Sequence, residues 1–240
     1  MSDALVTIRC QTPTTIDVDG VSVPLVVRRN KRARRLLLRV QSSDGSVVLT
    51  LPQRVPLAEG LRFLAVSRGW VAARMAALPP AIALADGAIM PIRGVPHPVR
   101  HRPDARRGVW IEDGALQVSG AVDHLPRRLR DFLVREAKAE FTTRAHALAQ
   151  RIGARIAKVT VRDARTRWGS CSTDGELMFS WRVILAPDFV RHYLVAHEVA
   201  HLRHGHHGPS FWRLVRELAP ETESAKSWLR REGAALHRIG

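Results

Sequence analysis

Two histidines one helical turn apart, with a carboxylate beside the first, constrain this chain more than any other feature: His197-Glu198-Val199-Ala200-His201. Residues four apart share a helix face, with Cβ atoms ~6 Å apart. Two imidazoles so placed can converge on one tetrahedral cation at ~2.0–2.1 Å each. Tyr193 extends the same stripe toward the N-terminus. The neighbours Tyr193-Leu194-Val195-Ala196 and Val199-Ala200 are largely apolar, so the helix has to be packed rather than solvated. Glu198 and two histidines inside such a helix are costly to bury without partners. A metal ion and a water on it would supply those partners.

A third ligand is needed, and His192, His204, His206 and His207 lie nearby. His192 falls on the opposite side of the helix. His204 shares the face but sits ~10 Å further along the axis than His197. The chain therefore has to turn back, which Gly205 and Gly208 permit. That leaves His206 and His207, and spacing does not choose between adjacent residues. Glu217 and Glu221 are alternative carboxylate ligands on the segment beyond. Glu198 points off the ligand stripe but reaches the fourth coordination position. Zinc lowers the pKa of a water there toward ~7 and polarises a carbonyl, and a carboxylate can take the water's proton. The expected reaction is peptide-bond hydrolysis, with Glu198 as general base and then proton donor to the leaving amine. One Zn2+ per chain is expected, although imidazoles also accept cobalt or nickel.

The first half of the chain reads as short strands at Ala4–Arg9, Val21–Arg28, Leu36–Gln41 and Val47–Leu51, the last two flanking an Asp44-Gly45 turn. A helix spans Leu57–Leu78, docked by Trp70 and Val71 and stopped by Pro79-Pro80. Strands follow at Ile89–Ile92, His97–His101, Val109–Glu112 and Leu116–Ser119, with a tight turn at Asp113-Gly114. An amphipathic helix covers Leu125–Ile152, with Leu129, Phe132, Leu133, Phe141, Ala145 and Leu148 on one side. Strands at Lys158–Arg162 and Leu177–Leu185 precede a helix from Pro187 to about His204, then helices at Phe211–Leu218 and Thr222–Leu236. No internal repeat or low-complexity linker is visible. This is an α+β pattern, with a strand-rich region at 1–124 carrying one helix and a helical domain at 125–240.

Several segments together resemble the YgjP-like zinc metallopeptidases, relatives of the SprT-like proteases. They are Arg167-Trp168-Gly169-Ser170-Cys171-Ser172, Leu185-Ala186-Pro187, and His197–His201 followed by His206-His207 and Phe211-Trp212. The resemblance covers about residues 20–235. It implies a zincin-like minimal catalytic domain with the HExxH segment on its active-site helix, and His207 as third ligand. His206 and Ser180 stand where that family usually has Asn. Arg167 is a candidate for a substrate carbonyl or a structural carboxylate. Phe211 and Trp212 are expected to hold His207 in place. Cys171 and Trp168 read as packing residues beside the site, and Gly169 as a tight turn next to the cleft.

A net charge of +16, with pI near 11.5, favours a polyanionic partner. Its clusters are Arg28–Arg35, Arg100–Arg107 and Arg127–Arg130. The alternative to a pure peptidase is therefore a nucleic-acid-associated metalloprotein, processing DNA-linked proteins or using the metal structurally. No apolar run is long enough to span a bilayer, so no membrane partner is expected. Met1–Cys10 has no secretory pattern, and Cys10 and Cys171 make no disulfide framework, which together point to the cytoplasm.

Overall fold

The computed structural model describes residues 14–240; the expected strand at Ala4–Arg9, and Cys10, lie outside the described residues. The chain divides into two compact units, the first reaching Pro80 and the second spanning Ala81–Gly240.

The first unit is a four-stranded sheet with two helices. Strands β1 (Thr14–Val18), β2 (Val21–Asn30), β3 (Leu37–Val40) and β4 (Val47–Pro52) lie in the order β1-β2-β4-β3, with β2 and β4 parallel. Period-2 alternation sends Val23, Leu25, Leu49 and Leu51 to one face, where Leu64 and Val71 cover them. The single helix expected at Leu57–Leu78 is two, α1 (Leu57–Val66) and α2 (Arg68–Ala76), meeting at Ser67. Val71 is fully buried, but Trp70 is exposed and stacks under Arg74 instead of docking the helix.

In the second unit, strands β5 (Ile89–Ile92), β6 (Val95–Arg102), β7 (Val109–Glu112) and β8 (Ala115–Ser119) lie in the order β5-β6-β8-β7, with β6 and β8 parallel. This repeats the pairing of the first sheet strand for strand, although the sequences show no repeat. Both first hairpins close with two positive-φ residues, Asp19-Gly20 and Arg93-Gly94, the turn that matches strand twist. Helix α3 (Leu125–Arg151) buries Leu129, Phe132, Leu133, Phe141, Ala145 and Leu148, and ends before Gly153, whose φ is +60°.

A third sheet, ordered β10-β11-β9, joins β9 (Lys158–Arg162) parallel and β10 (Gly169–Cys171) antiparallel to the central β11 (Glu176–Ser180). The strand expected to run to Leu185 stops at Ser180. Trp181–Leu185 is a 3-10 turn with all five residues buried. Helix α4 (Asp188–Ala200) follows, then α5 (Pro209–Leu218) and α6 (Thr222–His237). No helix among the described residues is long and apolar enough to cross a membrane.

The compact units divide at Pro80, and the boundary expected from the sequence lies at residue 124. Met90, Ile92, Val99, Leu116 and Val118 from β5, β6 and β8 share one core with α3, α4 and the third sheet. The change from strands to helix near residue 124 is a change of element inside one core, not a break between cores.

Candidate metal centre

Helix α4 is buried on nearly every side because α3, α5, α6 and β10 all pack against it. Its start is fixed by ion pairs. Arg191 is 5% exposed and donates to Glu140 Oε1 (2.6 Å), Asp188 Oδ1 (2.9 Å) and the carbonyl of Ala186 (2.7 Å). Arg144 adds a 2.7 Å contact to Asp188. The β5–β6 turn docks just before the helix, with Arg93 and Gly94 donating their N–H groups to the carbonyls of Ile184 and Leu185.

The helix ends at Ala200, not near His204. His201 closes it, and its Nδ1 lies 3.0 Å from the backbone oxygen of His204. A carbonyl can only accept, so Nδ1 carries the proton and Nε2 keeps its lone pair for a ligand. That early stop lets the chain return through Gly205 to Gly208, where α5 begins.

His197, His201 and His207 each offer a ring nitrogen, and these atoms lie within 4.8 Å of one another. Nε2 of His197 is 3.1 Å from Nε2 of His207. Nitrogens held at ~2.0–2.1 Å from one tetrahedral ion would be separated by little more than that, so the donor set fits a metal. Burial holds His197 down at about 4, helped by the neighbouring His201 and His207 and by Lys226. Burial also lowers His201, against the opposing bond to His204. Neutral imidazoles are the form a metal requires.

Aromatic packing holds the rings. Phe211 is fully buried and its ring centroid lies 5.0, 4.6 and 4.7 Å from those of His197, His201 and His207. Trp212 stacks on His207 at 5.7 Å, with Lys226 4.7 Å from its ring centre. Tyr193 meets His197 edge-on at 5.9 Å, and burial pushes its phenol up to about 12. Sequence reading did not find Lys226, which arrives from α6 with no local pattern to announce it.

Glu198 is 5% exposed and leaves the ligand stripe toward β10. Burial pushes its carboxyl up to about 7, opposed by the charge of Arg167. Arg167 is exposed and lines a cavity of about 540 Å³ with Thr166, Ser170, Cys171 and Met178. The loop carrying it is clamped by Ser180, which bonds the carbonyls of Ala164 and Trp168, and by the Asp163–Arg182 ion pair.

The other expected residues separate clearly. His206 is exposed, lies against Gly208 and is outside the convergent group, as are Glu217 and Glu221. His192 contacts the carbonyl of Leu218, 2.8 Å away. Trp168 stacks on His237 at 3.9 Å, a packing contact with α6. Cys171 is half-buried, and burial together with Glu198 pushes its thiol up to about 11, which leaves it a poor nucleophile. Gly169 lies in strand β10, not in a turn.

No curated protein and no solved structure matches the chain. The family model that does match is the YgjP-like metallopeptidase domain, over residues 34–232. That span takes in most of the 240 residues and the whole of the histidine cluster, and on its extent the chain belongs to the YgjP-like metallopeptidase family.

Proposed function

We propose that the protein is a cytoplasmic zinc endopeptidase in which His197, His201 and His207 hold one ion and Glu198 is the general base. The observation that carries this is the convergence of three imidazole nitrogens, with a buried carboxylate on the helix that carries His197. Zinc, when bound there, supplies Lewis acidity toward a carbonyl oxygen and lowers the pKa of a water at its open position. Glu198 takes the proton from the attacking water and returns it to the leaving amine. Phe211 and Trp212 keep the three rings from rotating out of register. Arg167 lines the cavity, has no side-chain hydrogen bond or ion pair among the described residues, and is the group we assign to bind a substrate carbonyl. The test is Glu198→Gln. It is expected to keep its zinc, measured by metal analysis, and to cleave an unfolded protein at least about 100-fold more slowly. Unchanged cleavage would overturn the assignment.

A second reading, nucleic-acid association, is favoured by the first unit. Strand register aligns Arg28, Thr50 and Leu37 in one cross-strand row, and Val26, Val48 and Arg39 in the next, on the sheet face opposite the core. The loop after β2 exposes Lys31, Arg32, Arg34 and Arg35. Among the described residues, the side chains of Arg28, Lys31, Arg34, Arg35 and Arg39 have no ion pair or hydrogen bond. Fluorescence anisotropy with single-stranded and duplex oligonucleotides should show binding that weakens linearly in log salt, by ~0.7–0.9 per phosphate neutralised. Arg28→Glu with Arg39→Glu should abolish it. Absence of binding at low ionic strength would sink this reading.

A further inference from the structure

Glu198 has no hydrogen bond and no ion pair among the described residues, although it is 5% exposed. Something other than polar contacts has to set where its carboxylate lies. Among the glycines of the described residues, Gly169 in strand β10 is the one that this carboxylate approaches. A Cβ at Gly169 would stand 2.5 Å from Glu198 Oε1, 2.7 Å from Cγ and 2.8 Å from Cδ. Real Cβ atoms do not come that close, so the side chain occupies the space that a residue with a side chain would fill. The backbone at Gly169 does not itself call for glycine. It is regular strand, paired with Phe179, and its φ is not positive. A glycine in a strand interior weakens the strand and marks a site of close approach. Here the group approaching is the carboxylate two elements away in sequence.

We propose that Gly169 is a positioning residue for Glu198: its bare Cα forms the floor on which the carboxylate rests. This rests on the reading of Glu198 as general base. Any side chain at 169 would push the carboxylate off that floor while leaving the three imidazoles where they are.

Gly169→Ala is expected to bind zinc with unchanged stoichiometry and to lose kcat by about 10- to 100-fold, with KM within about twofold, since small misplacements of a catalytic group cost on this order. A second arm reads the contact without catalysis. In the metal-free protein, Gly169→Ala should lower Tm. In a Glu198→Ala background the same change should leave Tm equal or higher, because the colliding group is gone and alanine suits a strand better than glycine. Should Gly169→Ala fail to fold, the double variant is expected to fold. An unchanged kcat, the same Tm loss in both backgrounds, or a double variant that also fails to fold overturns the proposal. If the wild-type protein cleaves no peptide, the peptidase reading fails, while the Tm comparison still decides whether Gly169 supports Glu198.

Discussion

At the residue scale, the sequence narrowed the candidate third ligand to adjacent histidines and could go no further by spacing. The distinction is made by side-chain direction after a return loop: His206 turns against Gly208, while His207 meets His197. His207→Ala should lose zinc and His206→Ala should keep it, as read by metal analysis of purified protein; the reverse pattern would reassign the ligand. Phe211 was legible as a packing residue, but not that it touches all three rings. Phe211→Ala should cost about 3–5 kcal/mol in denaturant unfolding. It should also weaken zinc binding by about 10- to 100-fold in competition with a chelator. Cys171→Ser should retain cleavage, and the wild-type thiol, raised to about 11, should alkylate slowly with iodoacetamide near pH 7.

At the element scale, most strands and helices were readable, and the failures have physical causes. Trp181–Leu185 is buried at every position, so it carries no periodicity to separate a strand from a tight helical turn. Arg182 inside that run is hydrogen-bonded by distant partners, Asp163 and the carbonyls of Ile239 and Gly240. Helix α4 was expected to run to about His204, with Gly205 ending it; it stops at Ala200, and His201 Nδ1 bonds the His204 carbonyl just beyond. The anchoring of α4 was invisible, since Glu140 and Arg191 are remote in sequence. Glu140→Ala would leave the buried Arg191 guanidinium short of a partner and should destabilise by about 3 kcal/mol in urea unfolding. Asp188 adds a pH-dependent part. The Arg144 hydrogen bond, the largest cause, holds its carboxyl below the ordinary value. A depressed native pKa gives stability that is present above ~3.9 and is lost as pH falls through the native value. Asp188→Asn should therefore be less stable than wild type near neutrality, with the gap in Tm closing below about pH 4.

At the scale of the whole molecule, the paired sheets show what a sequence reading by elements leaves out. Composition shifts near residue 124, yet the core continues through it, and Pro79-Pro80 is the punctuation that coincides with the division. The fragment Ala81–Gly240 contains the complete core cluster around α4 and all three converging histidines. Expressed alone, it should melt cooperatively and bind one zinc per chain, and a fragment that stays unfolded with excess zinc would refute this. The contacts framing α4 also bear on time. Arg93 and Gly94 bond to Ile184 and Leu185, while Ile82 exchanges backbone bonds with Arg238 and Gly240. Each joins segments far apart along the chain, and long-range closure slows folding. Helices α3 and α6 can form early from local contacts, but the frame around the histidine cluster closes only after both ends of the unit have met. In refolding experiments zinc capture should lag well behind the return of helical circular dichroism, and a newly made chain would pass through a helical stage in which it has no power to cut.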